Sequence, residues 1–138
     1  MSIEPEIKQF VVNIGAKEPT LGDENYEKWR DLFRRSNYFV FNGKFMIVKI
    51  SRSKKPFFGV DKRFIDLFNS QDDYYLVLLV SPESGWVFTK REVNVNIENK
   101  QWNLAGDNNY KINSPSLLHR NSFSSKKSFF NKLGLAEE

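Results

Sequence analysis

The chain has 138 residues, 40% hydrophobic and 28% charged, with 13 Phe, 5 Tyr and 3 Trp; this fits one aromatic-rich domain with a single sizeable core. It carries no cysteine and one histidine, His119, which excludes a disulfide framework, a thiolate nucleophile, a Cys-based zinc site and a multi-histidine metal cluster. No run approaches the roughly 18 to 20 apolar residues of a membrane span, and the acidic start MSIEPEIKQF lacks the basic head of a signal peptide, so no membrane partner and a cytoplasmic location are expected.

In chain order, residues 1–22 read as an acidic N-terminal segment, 23–97 as a sheet core with flanking helices, and 98–138 as a C-terminal hairpin and basic terminal helix. The stretch GDENYEKWRDLFRRS (22–36) predicts a helix, with Asp23 at the cap, Glu24 and Glu27 in the first turns and Arg34 with Arg35 at the C-terminal end. Next, NYFVFNGKFMIVKIS places Asn42-Gly43 between two β-rich runs. That pair is preferred in a type I′ turn and predicts a hairpin with strands over 38–41 and 44–50. The period of two sets Phe45, Ile47 and Lys49 on one face of the second strand and Met46, Val48 and Ile50 on the other. Both faces are apolar apart from Lys49, so the strand is expected to be central.

Pro56 interrupts regular structure, and Pro56-Phe57-Phe58-Gly59 is expected to be a turn whose phenylalanines plug the core. VDKRFIDLFNS then reads as a short helix capped by Asp61. YYLVLLVS is an interior strand ended by a Ser-Pro-Glu-Ser-Gly turn, and GWVFT is the next strand, with Trp86 covering the core. In TKREVNVNIEN the capping box of Thr89 and Glu92 favours a helix over the strand-like alternation of Val93, Val95 and Ile97. Short strands are expected at 101–104 and 109–113, then a terminal helix in SSKKSFFNKLG, capped by Ser124 or Ser125 and stopped by Gly134. The fold class is α/β, with α+β the alternative: a single domain with a central mixed β-sheet flanked by short helices.

Charge separates along this order. Residues 1–31 carry four basic and seven acidic side chains, a net of −3. From Lys49 to Arg63 there are six basic residues against Asp61, a net of +5, and Arg120 to Lys132 holds four basic residues and no acid. Such clustering is the electrostatic footprint of a surface that meets phosphates, and also occurs on a merely solvated basic loop. Lys49 stands out because a lysine among core residues is costly unless it is paired, snorkels from a strand end, or acts.

The helix, the hairpin whose second strand ends in Ile47-Val48-Lys49, the helix and the further hydrophobic strand resemble, over roughly residues 23–97, the restriction-endonuclease-like fold of the PD-(D/E)XK nucleases. The resemblance implies a catalytic role for Lys49 and, in an active nuclease, a magnesium ion as cofactor. The motif departs from the family's pattern: Ile47 stands where an acid precedes the lysine by two, and near the preceding strand stand only Asn37 and Asn42. What the resemblance implies is an inactive relative that keeps a nucleic-acid surface, or a nuclease with displaced acids such as Glu27, Asp31 or Asp61.

Two functions of different class follow. In the first, Arg52, Lys54, Lys55, Lys62, Arg63, Arg120, Lys126 and Lys127 contact the phosphates of a nucleic acid around Lys49. In the second, Phe57, Phe58 and Trp86, or an edge strand of the Trp102 hairpin, bind another protein or a second copy of the chain. His119 beside Arg120 suggests a base with an anion-binding arginine, although a lone histidine in a polar loop is more often merely exposed.

Overall fold

The computed structural model describes residues 4–22, 26, 30, 38–70, 73–113 and 119–136. Of the helix expected over 22–36, only Gly22, Tyr26 and Arg30 are described, the last two as helical; the rest of that expectation lies outside the described residues.

The acidic N-terminal segment holds a helix that charge alone does not announce, α1 (Pro5–Ile14). Proline opens it and Glu6 suits its first turn, as an unsatisfied N-terminus prefers. Ile7, Phe10, Val11 and Ile14 form its buried face, the i, i+3, i+4, i+7 spacing of an amphipathic helix. Gly15, at φ 79°, ends it with a left-handed cap, a conformation that costs glycine little.

The hairpin forms as expected, β1 (Tyr38–Phe41) and β2 (Lys44–Ile50) flanking Asn42 and Gly43, both at positive φ. After the 51–56 loop comes a departure. Phe57–Asp61 is a strand, β3, rather than a turn, because its backbone pairs along its whole length with β7 (Asn109–Asn113). Helix α2 (Lys62–Asn69) follows, with Asp61 accepting from the Arg63 N–H as its N-cap. β4 (Tyr74–Leu79) and β5 (Gly85–Thr89) come next. α3 (Lys90–Glu98) opens with the predicted Thr89/Glu92 capping box. β6 (Asn103–Leu104) and β7 form the later hairpin. A 3-10 turn at His119–Asn121 leads into β8 (Ser122–Phe123) and α4 (Lys126–Lys132), which Ser125 caps.

Together these make a single α+β domain. A mixed five-stranded sheet runs β1-β2-β4-β5-β8, and a smaller antiparallel sheet runs β3-β7-β6. β2 is interior, antiparallel to β1 and parallel to β4, which is the middle strand of the five. Both faces of the large sheet are covered, which is why β4 is apolar throughout and buried at every position. On one face Phe45, Ile47, Leu76 and Phe88 pack with Phe58, Val60, Phe64, Phe68, Val93, Trp102 and Ile112, drawn from the small sheet, α2, α3 and their connections. On the other face Met46, Val48, Val77 and Val87 pack with α1 and α4. There the Phe10 ring meets Phe123 at 5.8 Å and Phe129 at 5.2 Å, joining the two ends of the described chain in one aromatic cluster.

Candidate nucleic-acid interface

Because β2 and β4 are parallel, Ile50 and Leu79 finish side by side, and the Ser51 N–H donates to the Leu79 carbonyl at 2.9 Å. The basic 51–56 loop and the 80–84 turn therefore leave from the same end of the sheet. Open α/β sheets tend to bind ligands at the carboxyl ends of parallel strands. Ser51 is buried and shapes the loop: its Oγ accepts from the backbone N–H groups of Phe57 at 3.3 Å and Ser53 at 3.4 Å. That fold-back leaves Lys54 and Lys55 exposed, with no ion pair among the described residues.

Lys49 lies one residue before the end of β2, half-buried on the face that meets α2. Its Nζ sits 5.9 Å from the centre of the Phe64 ring, within cation–π range. Burial pushes its pKa below the ordinary lysine value, and the Asp61 carboxylate opposes that shift. Asp61 is itself held below the usual carboxylate range, chiefly by the Arg63 guanidinium, which donates to it at 2.8 Å. Lysine, carboxylate and arginine thus form one chain of charge where β3 gives way to α2.

The remaining predicted cations are distributed unevenly. Lys62 pairs with Asp66 at 2.6 Å, one turn along α2. Arg52 is held by Glu4, which precedes α1, and by Glu6 within it, its Nε donating to Glu6 at 2.6 Å, so in this arrangement it locks the loop to the helix. Arg120 sits across the sheet in the 3-10 turn. Buried Asn121 fixes that turn, its Nδ2 donating to the Val87 carbonyl at 3.2 Å and to Glu92 at 2.6 Å. Arg120 shares a groove of about 520 Å³ with Val80, Trp86, Ser128 and Lys132. β8 is the third strand over from β2, about 14 Å at the usual strand spacing. Lys126 lines a different groove, beside Val12, Phe41, Asn42 and Phe130 at the hairpin end of the sheet. The seven residues of β2, about 20 Å in length, separate it from the basic loop. Lys127 follows it, exposed on α4. The structure therefore groups Lys49 with Arg63 around Asp61 at the start of α2, puts Lys54 and Lys55 on the loop that follows β2, sets Arg120 on the flank, and leaves Lys126 apart.

Among the residues assigned to protein binding, Phe58 and Trp102 are buried and Trp86 is half-buried against the core, whereas Phe57 is 52% exposed. The expected pair of core plugs is thus one plug, Phe58, and one surface ring. Lys111 was missing from the expected interface. It projects from β7 on the same face as Phe57, its Nζ 6.0 Å from the ring centre, and the alternation of NYKIN around buried Ile112 is the signal that reveals it.

The donor set for a metal is thin. A magnesium ion takes one or two carboxylates and keeps several waters. Beside Lys49 stands Asp61, whose oxygens already accept from Arg63. Among the described residues no group of three His, Asp or Glu could hold a metal ion, while Glu27 and Asp31 lie outside them. In comparison with known proteins, the chain matches no family model, no curated protein and no solved structure.

Proposed function

We propose that the chain is a nucleic-acid-binding domain that engages the phosphate backbone at the end of the sheet where β2 and β4 finish. The observation that carries the reading is the exposure of Lys54 and Lys55 on a loop pinned by buried Ser51, with no carboxylate paired to either among the described residues. Lys62 and Arg63, at the start of α2 near Lys49, are in ion pairs at the surface. Exposed pairs of this kind are worth little, so a phosphate competes for both cations. The hairpin, α2 and the parallel strand β4 are in place, while β3 stands between the hairpin and α2 where the likeness to restriction-endonuclease-like proteins expected none. With Ile47 in the acid position, the reading is of recognition rather than a complete nuclease.

A gel shift across a salt gradient, with single- and double-stranded DNA and RNA and with magnesium or manganese present or absent, tests it. Binding is expected to weaken steeply with salt, and Lys54→Glu/Lys55→Glu to lower affinity on all sequences alike, flattening the salt slope by about 1 per lysine. No binding at low salt overturns the reading. Metal-dependent cleavage that Lys49→Ala abolishes replaces it with a nuclease whose acids are displaced.

A further inference from the structure

The small sheet has one face against the core and one face that no described helix covers. Phe58, Val60, Tyr110 and Ile112 point inward, so the period of two turns Phe57, Gly59, Lys111 and Asn113 outward. A phenylalanine 52% exposed on such a face buries no partner surface of its own. Its surroundings are polar and charged rather than apolar, with Lys111 paired to Asp107 at 2.7 Å. Lys111 leans over the ring, with its Nζ 3.8 Å from where a side chain on Gly59 would begin, so Gly59 leaves room for that lysine beside the ring. The backbone of Phe57 is fixed on both sides, by its bond to Ser51 Oγ and by pairing with Asn113. Two residues before it in the chain, Lys55 follows Lys54, and both are exposed.

We propose that this outer face is a stacking platform for an unpaired base, Phe57 presenting its ring to the base while Lys54 and Lys55 meet the adjoining phosphates. The occupant is a single-stranded nucleic acid, because only an unpaired base offers its flat face to an isolated ring, and a strand that does so carries the phosphates the two lysines lack. A hydrophobic protein partner would require an apolar surround, and the outward neighbours of Phe57 are Lys111, Asn113 and the lysine loop. The inference rests on the nucleic-acid reading above and specifies its substrate class.

The test is affinity for an oligothymidylate and for a duplex of equal length, measured with the wild-type chain, Phe57→Ala, Phe57→Trp and Lys54→Glu/Lys55→Glu. Phe57→Ala is expected to weaken single-strand binding about tenfold, as loss of one stacked base does, with the duplex affinity and salt slope unchanged. Phe57→Trp is expected to retain binding and to show fluorescence quenching beyond that of the wild type's own tryptophans. Unchanged single-strand affinity in Phe57→Ala, or an equal loss on both substrates, overturns the platform. If the lysine pair still matters in that case, the nucleic-acid reading stands without it, and if the wild type binds neither substrate both fall. A self-associated wild type that Phe57→Ala converts to monomer, with single-strand affinity intact, reassigns the face to contact between copies.

Discussion

Arg52 and Glu6 lie 46 positions apart in the chain and meet at 2.6 Å, tying the basic loop to α1. The guanidinium is the first cause holding the Glu6 carboxyl below its ordinary range. A carboxyl depressed in the folded state adds stability above its unfolded pKa and loses it as pH falls through its folded one. Arg52→Ala is therefore expected to lower the thermal midpoint by at most about 4 °C at neutral pH, since the pair is exposed. The difference from wild type should start to shrink as pH falls below the unfolded glutamate value of about 4.3 and vanish only below the depressed folded one. Melting curves of both proteins from pH 3 to 7 check this, and nucleic-acid affinity at moderate salt should change far less than in the Lys54/Lys55 variant.

Lys49 should trade stability for function. Burial depresses its pKa, so at neutral pH the folded state holds a charge at a cost absent in the unfolded chain. Between the folded and unfolded pKa values the unfolded state binds more protons, and wild-type stability rises with pH. Lys49→Met keeps the length of the side chain beside Phe64 and removes the charge. It is expected to be more stable by about 1 kcal/mol at pH 7, with the gain shrinking as pH climbs toward about 10.4. Urea titrations at pH 7 and in the alkaline range read this directly. A loss of stability at pH 7 would show that the lysine supports the fold.

Gly85 opens β5 opposite Leu79, and a Cβ there would lie 2.1 Å from the Leu78 carbonyl oxygen and 2.8 Å from the Leu79 Cα. Those atoms are backbone of the most buried strand and cannot swing aside. Gly85→Ala is expected to cost more than about 2 kcal/mol by chemical denaturation, whereas Gly106→Ala, with nothing within 4 Å, should be close to neutral.

Asn121 is 4% exposed and bridges the 3-10 turn to β5 and α3. Asn121→Ala removes both donations and leaves the Glu92 oxygen that faced it without that partner. The expected loss is about 2 kcal/mol, the range for orphaning a buried polar group. If Arg120 takes part in binding, the same variant should weaken binding no further than Arg120→Ala does, and the double variant should match the worse single one.

What was legible in the sequence is what local chemistry decides. Asn42-Gly43 accepts two positive φ angles, Asp61 and Ser125 cap helices within reach of their own side chains, and the Thr89/Glu92 box outweighs the alternation of Val93, Val95 and Ile97. β3 was not legible, since Pro56 and Gly59 argue for a turn and the strand exists through pairing with Lys111 and its neighbours some 50 positions later. α1 was legible in the spacing of Ile7, Phe10, Val11 and Ile14 and hidden by the acidic charge around it. The same division runs through the site. Charge density located the Lys54-Lys55 loop, but only three dimensions reveal that Arg52 is already partnered by Glu4 and Glu6 and that Lys126 faces another end of the sheet.

The aromatic contact of Phe10 with Phe123 and Phe129 also sets an order of events during synthesis. Helix α1 precedes by more than a hundred residues two of the rings it rests against, Phe123 and Phe129. At ten residues it is too short to hold a helix alone in water. Met46 and Val48 of β2 cover part of its apolar stripe early, but the part that faces Phe123 and Phe129 stays bare until those rings are made. The second core is therefore complete only once β8 and α4 have been made, however early α1 settles on the hairpin.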